Sequence, residues 1–238
     1  MQSLNRHRNA ALLVTLVVLI LAGPIIHVLW GGARPLVASL LNTLAFSLVL
    51  LAGVFTGGSR EKAWYAAILC ASGTIAFQVA YSLREVQLLY VAGLLSALMF
   101  VCLTVVRALS DILSAKRVSA ETIAASLCVY LLLAIGWSIA YSLLDYTIPE
   151  AFSVSTSSSG ESARMLFGTG EASEAIYYSL VTITTLGYGD VSPVSPLARA
   201  LAGIEALVGQ LYIAVLIARL VALEITHRIV DEKTTAGE

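Results

Sequence analysis

The chemistry of this chain is concentrated in Thr184-Thr185-Leu186-Gly187-Tyr188-Gly189-Asp190. Ahead of Asp190 no side chain in the stretch is charged, so any ligand must be held by threonine hydroxyls and backbone carbonyls. A dehydrated cation needs several oxygens at once, and four copies of one such loop supply them as rings of carbonyls. Gly187 and Gly189 are the positions where the backbone takes a positive φ at little cost, which lets successive carbonyls point the same way. The Thr185 hydroxyl would add a further ring of oxygens at the inner end. A G-Y-G turn alone is a weak signal. Here a short amphipathic helix over Glu174 to Thr185 precedes it, and Asp190 closes it. Pro193 and Pro196 then restart the chain ahead of a long apolar run.

The elements that position this loop are read from the hydropathy. The chain has 238 residues, 58% hydrophobic and 12% charged, with mean hydropathy +0.88. A soluble domain carries about 25% charge, so a soluble fold is excluded, and disorder is excluded by the high hydrophobicity. With 14 Lys and Arg against 15 Asp and Glu there is no basic excess for nucleic acid. Apolar runs cover 10–30, 36–55, 64–83, 88–106, 123–144 and 197–225, each near the ~20 residues that cross a hydrocarbon core. Their unbroken character rules out a β-barrel, which alternates over about ten residues. The reading is an all-α membrane protein of six transmembrane helices plus a re-entrant helix and loop. Cys70, Cys102 and Cys128 lie inside apolar runs without metal-ligand spacing and read as small hydrophobes. Between the fifth and sixth runs, Asp145 to Ala172 reads as a flexible, serine-rich loop.

Ten of the 14 basic residues fall on the side of both termini, and Arg34, Arg84, Arg164 and Arg199 on the other. This places both termini in the cytoplasm. Arg6 and Arg8 ahead of an apolar run also fit a signal peptide, but Gly31-Gly32-Ala33 is a poor cleavage site. The outer side carries Glu85, Asp145, Glu150, Glu161, Glu171, Glu174 and Asp190, an acidic excess that would concentrate cations.

The stretch Thr184–Asp190 closely resembles the T-V-G-Y-G-D selectivity filter of tetrameric potassium channels, with Leu186 in place of the usual valine. The likeness is specific over roughly 172–223. It implies a fourfold homotetramer in which K+ binds at Thr185, Leu186, Gly187 and Tyr188, with Gly189 completing the filter and Thr184 supporting it. It also implies that Tyr177 and Tyr178 of the pore helix cuff the filter and that a tyrosine hydroxyl bonds Asp190. Val181 stands where some relatives carry a carboxylate. Gly209 aligns with the hinge glycine of the inner helix. Below it Ile213 and Ile217 share a face that would line the cavity and close it by dewetting.

Glu205 is the one acid deep inside an expected span, since Glu224 stands at the very end of the last run. Intramembrane carboxylates are functional hypotheses by default, and two readings stand: a proton sensor for gating, or a permanent hydrogen-bond partner of the pore helix through Thr182 or Tyr178. Arg219 reads as a snorkelling residue or a lipid-headgroup contact. The fourth run lacks arginines, since Arg84 and Arg107 only flank it, so steep voltage gating is expected to be absent.

The expected organisation is a peripheral four-helix bundle at 1–106, an interfacial linker helix at 107–122, a pore domain at 123–225 and a short cytoplasmic tail at 226–238. No enzyme is expected, because no nucleophilic triad, phosphate loop or metal spacing occurs, and no organic cofactor. The expected function is passive K+ conduction across a plasma membrane, prokaryotic by the short loops and tail, with membrane lipids as partners. Rival readings are a weakly selective cation channel and a non-conducting regulatory or scaffold subunit.

Overall fold

Apolar runs of this length can satisfy their backbone within a bilayer only as helices, and helices dominate the computed structural model. It describes residues 8–30, 46–50, 52, 61–84, 86–115, 119–148, 150–154 and 172–235. In chain order these form α1 (Arg8–Trp30), α2 (Glu61–Arg84), α3 (Gln87–Ser114), α4 (Ala120–Thr147), β1 (Phe152–Val154), α5 (Ala172–Ile183), β2 (Val191–Pro193) and α6 (Pro196–Thr235). Most of the second apolar run lies outside the described residues; only 46–50 and 52 are seen, and they are helical. Among the described residues, three helices are long and apolar enough to cross a membrane: α3, α4 and Pro196–Leu223 of α6. α1 and α2 carry shorter apolar stretches, Asn9–Ile25 and Tyr65–Tyr81.

Local chemistry explains the ends of these helices. Ser119 caps α4, its hydroxyl accepting from the Thr122 N–H at 3.2 Å. Ser195 does the same for α6, accepting from Ala198 N at 3.1 Å, and Pro196 begins that helix at the position where a missing N–H costs nothing. α5 has 12 residues, about 18 Å at 1.5 Å per residue, too short to span a ~30 Å core. α6 has 40 residues, about 60 Å, so it must project beyond the bilayer.

Three boundaries differ from the sequence expectation. The linker helix expected at 107–122 does not form a separate element. Residues 107–114 are the last two turns of α3, because Ile112 is buried while Ser110, Asp111 and Leu113 face outward, so the amphipathic period continues unbroken. The tail expected from 226 is helical as far as Thr235. Asp145, read as a loop acid, sits in the last turn of α4 and is 7% exposed.

The helices expected as a separate peripheral bundle share a core with the pore side. Leu12 and Leu16 of α1, Ala71 of α2, Leu94 and Phe100 of α3, and Leu132 and Ile135 of α4 form one cluster. In lipid such packing is held by close van der Waals fit and interhelical hydrogen bonds rather than by exclusion of water. Ser96 Oγ donates to Cys70 O at 2.9 Å, tying α3 to α2, and Cys128 Sγ donates to Asn9 O at 3.4 Å, tying α4 to α1. β1 and β2 pair antiparallel, with Ser153 opposite Ser192. This ribbon joins the segment after α4 to the segment after the glycine loop.

Candidate ion-conduction site

At its C-terminus α5 gives way to a tight turn. Thr185 N donates to Thr182 O at 2.9 Å, and Leu186 N and Gly187 N both reach Val181 O, at 2.9 and 3.3 Å. The N–H groups of these residues therefore point back at α5. Positive φ recurs at every second position: Thr185 at 59°, Gly187 at 59° and Gly189 at 80°. Alternating hand turns successive peptide groups the same way, N–H to one side and C=O to the other. Residues 184–189 are all exposed in the single chain, Leu186 at 55% and Tyr188 at 66%. Nothing lies within 4 Å of a side chain built at Gly187 or Gly189, so these glycines serve backbone conformation and not close packing. Thr185 adopts the same hand although it is β-branched, a conformation that costs about 1–2 kcal/mol. Sequence gave no sign of this, since threonine ordinarily avoids it.

The inner end of the loop is fixed from two helices. Tyr130 of α4 donates its hydroxyl to Ile183 O at 3.0 Å, and Gln210 Nε2 of α6 approaches Thr185 Oγ1 at 3.4 Å. Gly209 sits directly against the end of α5: a methyl there would lie 2.6 Å from Ile183 Cγ1 and would also collide with the Ile183 carbonyl. α6 is unbroken at this position. Ile213 is half-buried and Ile217 exposed, further along α6.

At the outer end, Tyr177 donates to Asp190 Oδ2 at 2.6 Å, while Asp190 Oδ1 accepts from Val191 N at 3.0 Å. The tyrosine hydroxyl, aided by the Val191 N–H, holds the Asp190 carboxyl below its ordinary range, and the same bond pushes the Tyr177 phenol up to about 12. Tyr178 has another role. It is buried in an aromatic triangle with Tyr141 and Phe152, centroids 5.1 and 5.2 Å away, which holds α5 against α4 and β1.

Glu205 is fully buried and bonds neither Thr182 nor Tyr178. Tyr141 of α4 reaches its Oε2 at 2.5 Å, and Ser179 of α5 its Oε1 at 2.5 Å. Sequence signals only that Tyr141, a tyrosine inside an apolar span, needs some partner for its hydroxyl, not which one. Arg219 donates to the carbonyls of Leu113 and, at 3.3 Å, of Ala115. Those carbonyls belong to the C-terminus of α3, where helical partners run out and the partial charge is negative.

The architecture is thus a long helix, a short re-entrant helix, a loop of alternating hand and a second long helix. Residues 122–224 match the family model described as "Ion channel". They form an ion-channel pore domain. No curated protein and no solved structure matches the chain. The protein is a membrane protein and not an enzyme.

Proposed function

We propose that this chain is one subunit of a potassium-selective channel, assembled as a homotetramer around the exposed face of Thr185–Gly189. The observation that carries the reading is the positive φ at 185, 187 and 189 within the ion-channel pore domain. That alternation presents a column of carbonyls on one side of the loop. Four copies about an axis would replace the hydration shell of K+. Leu186 leaves these carbonyls in place, and Thr185 offers its hydroxyl at the inner end. Tyr188, exposed in the single chain, would brace against a neighbouring copy. Asp190 and its bond to Tyr177 shape the outer mouth, and Ile213 and Ile217 line the inner cavity below Gly209. Six spans, with α1, α2 and the run at 36–55 completing the count, put both termini in the cytoplasm of a prokaryotic cell. Without arginines between Gln87 and Val106 the peripheral helices move no gating charge, so conduction is not steeply voltage-dependent.

The test is the reversal potential of purified protein in liposomes with potassium on one side and sodium on the other. A value near the potassium equilibrium potential supports selective conduction. Current reversing near zero would mean a relaxed cation pore, and absence of current a non-conducting subunit.

A further inference from the structure

The oxygen atoms around Glu205 have a hydrogen inventory that can be counted. Three contacts form a chain that begins and ends on α4: Tyr141 Oη to Glu205 Oε2 at 2.5 Å, Glu205 Oε1 to Ser179 Oγ at 2.5 Å, and Ser179 Oγ to Ala134 O at 2.7 Å. Each contact needs one hydrogen. Tyr141 and Ser179 supply one each, and the Ala134 carbonyl supplies none. The Ser179 hydrogen can fill the contact with Ala134 or the one with Glu205, not both.

We propose that Glu205 supplies the third hydrogen: it is held as a neutral carboxylic acid that accepts from Tyr141 and donates to Ser179, acting as a positioning residue for the pore helix. The surroundings agree with this assignment. Tyr141, Ser179 and Glu205 are all fully buried, and a buried carboxylate without a cation is severely penalised. The titratable groups that face the acid are phenols, Tyr130 and Tyr141 from α4 and Tyr178 from α5. The only hydrogen-bond partners of its oxygens among the described residues are Tyr141 and Ser179. The proton therefore joins three helices at one point. Ser179 lies on α5 just ahead of the turn at Thr184, so loss of the proton to solvent at alkaline pH leaves two hydrogens for three contacts and frees one face of that helix.

The proposal is tested on the full chain in lipid vesicles by infrared difference spectroscopy between wild type and Glu205→Gln, in water and in deuterium oxide. This reading does not require conduction, so it stands apart from the fate of the potassium assignment. The expected result is a carboxylic-acid carbonyl band at neutral pH, sensitive to deuterium and absent from the variant. A carboxamide accepts from Tyr141 and donates to Ser179 with the same geometry, so Glu205→Gln assembles and keeps its ion flux at neutral pH within about twofold. It also keeps that flux at alkaline pH, where wild type declines. A Glu205 that gives only carboxylate bands at neutral pH overturns the proposal, as does failure of the Gln variant to assemble. Alkaline profiles that coincide in the two proteins overturn the link to the pore helix.

Discussion

At the scale of single residues, the outer mouth depends on one bond. Tyr177 donates to Asp190 and depresses the carboxyl's pKa. A group whose folded pKa is depressed stabilises the folded mouth above its ordinary pKa, about 3.9, and loses that contribution as pH falls through the lower, folded value. Tyr177→Phe removes the largest cause and leaves the weaker backbone N–H groups of Val191 and Asp190 to favour the ionised form. The expected outcome is that acid inactivation, recorded against outer pH, moves to higher pH in the variant, with currents unchanged at neutral pH. An unmoved acid limb would show that Asp190 does not govern the mouth. The pair was foreseeable from the resemblance, because it covers both the pore helix that carries Tyr177 and the motif that ends at Asp190. The strained φ of Thr185 was not, since threonine has no intrinsic preference for it and only the fold imposes it. The partners of Glu205 were misassigned for a related reason: Tyr141 is 64 positions away, and spacing along the chain does not say which hydroxyl an apolar fold will turn inward.

At the scale of elements, two of the contacts that α6 makes have separable consequences. Gly209 suits either a hinge or close helix packing, and it sits directly against Ile183. Gly209→Ala gains about 1 kcal/mol of helix propensity but forces a methyl into a backbone carbonyl, and overpacking of this kind costs about 1–3 kcal/mol. The carbonyl cannot rotate away as a side chain could, so the cost should win, and the thermal midpoint of the assembled protein should fall. A raised midpoint with reduced opening would restore the hinge. Arg219 makes the second contact, covering the carboxyl end of α3. Arg219→Gln removes the charge that complements the helix terminus, so the last turn of α3 should fray. Hydrogen exchange of the amides at 111–115 should then rise while exchange in α5 stays as it was. Uniform change, or none, would mean that the contact carries no load. Where α3 ends was hidden from sequence because Arg107, Ser110 and Asp111 interrupt the apolar run and look like the start of a separate interfacial helix. The burial of Ile112 on the same face as Val101 and Thr104 is what extends the helix through them.

At the scale of the whole molecule, the helices were legible because apolar runs are a local property, whereas their assembly into a shared core was not. The sequence offers no marker that α1 and α3 pack on α4, since in lipid the contacts are between apolar surfaces of equal hydropathy. Exposure now adds a long-range argument that sequence could not make. Within the apolar windows, 39% of α3 and 44% of α4 is buried inside the chain, but only 6% of α6. Exposed isoleucine and valine on α6 are explained equally by lipid or by other copies; the exposed polar backbone of 185–188 is not, because backbone carbonyls at membrane depth must face protein, water or an ion. Tyr188 separates these cases. The residue is 66% exposed, so truncation should cost the single chain little. Packed against a neighbouring copy, the ring would be buried, and its removal should cost the assembly about 3 kcal/mol per copy. Tyr188→Ala is therefore expected to leave the helical circular-dichroism signal intact while shifting the protein from oligomer to monomer on size exclusion in detergent. If the oligomer persists with undiminished thermal stability, Tyr188 does not brace the filter from a second subunit, and the fourfold arrangement must be held by α6 alone.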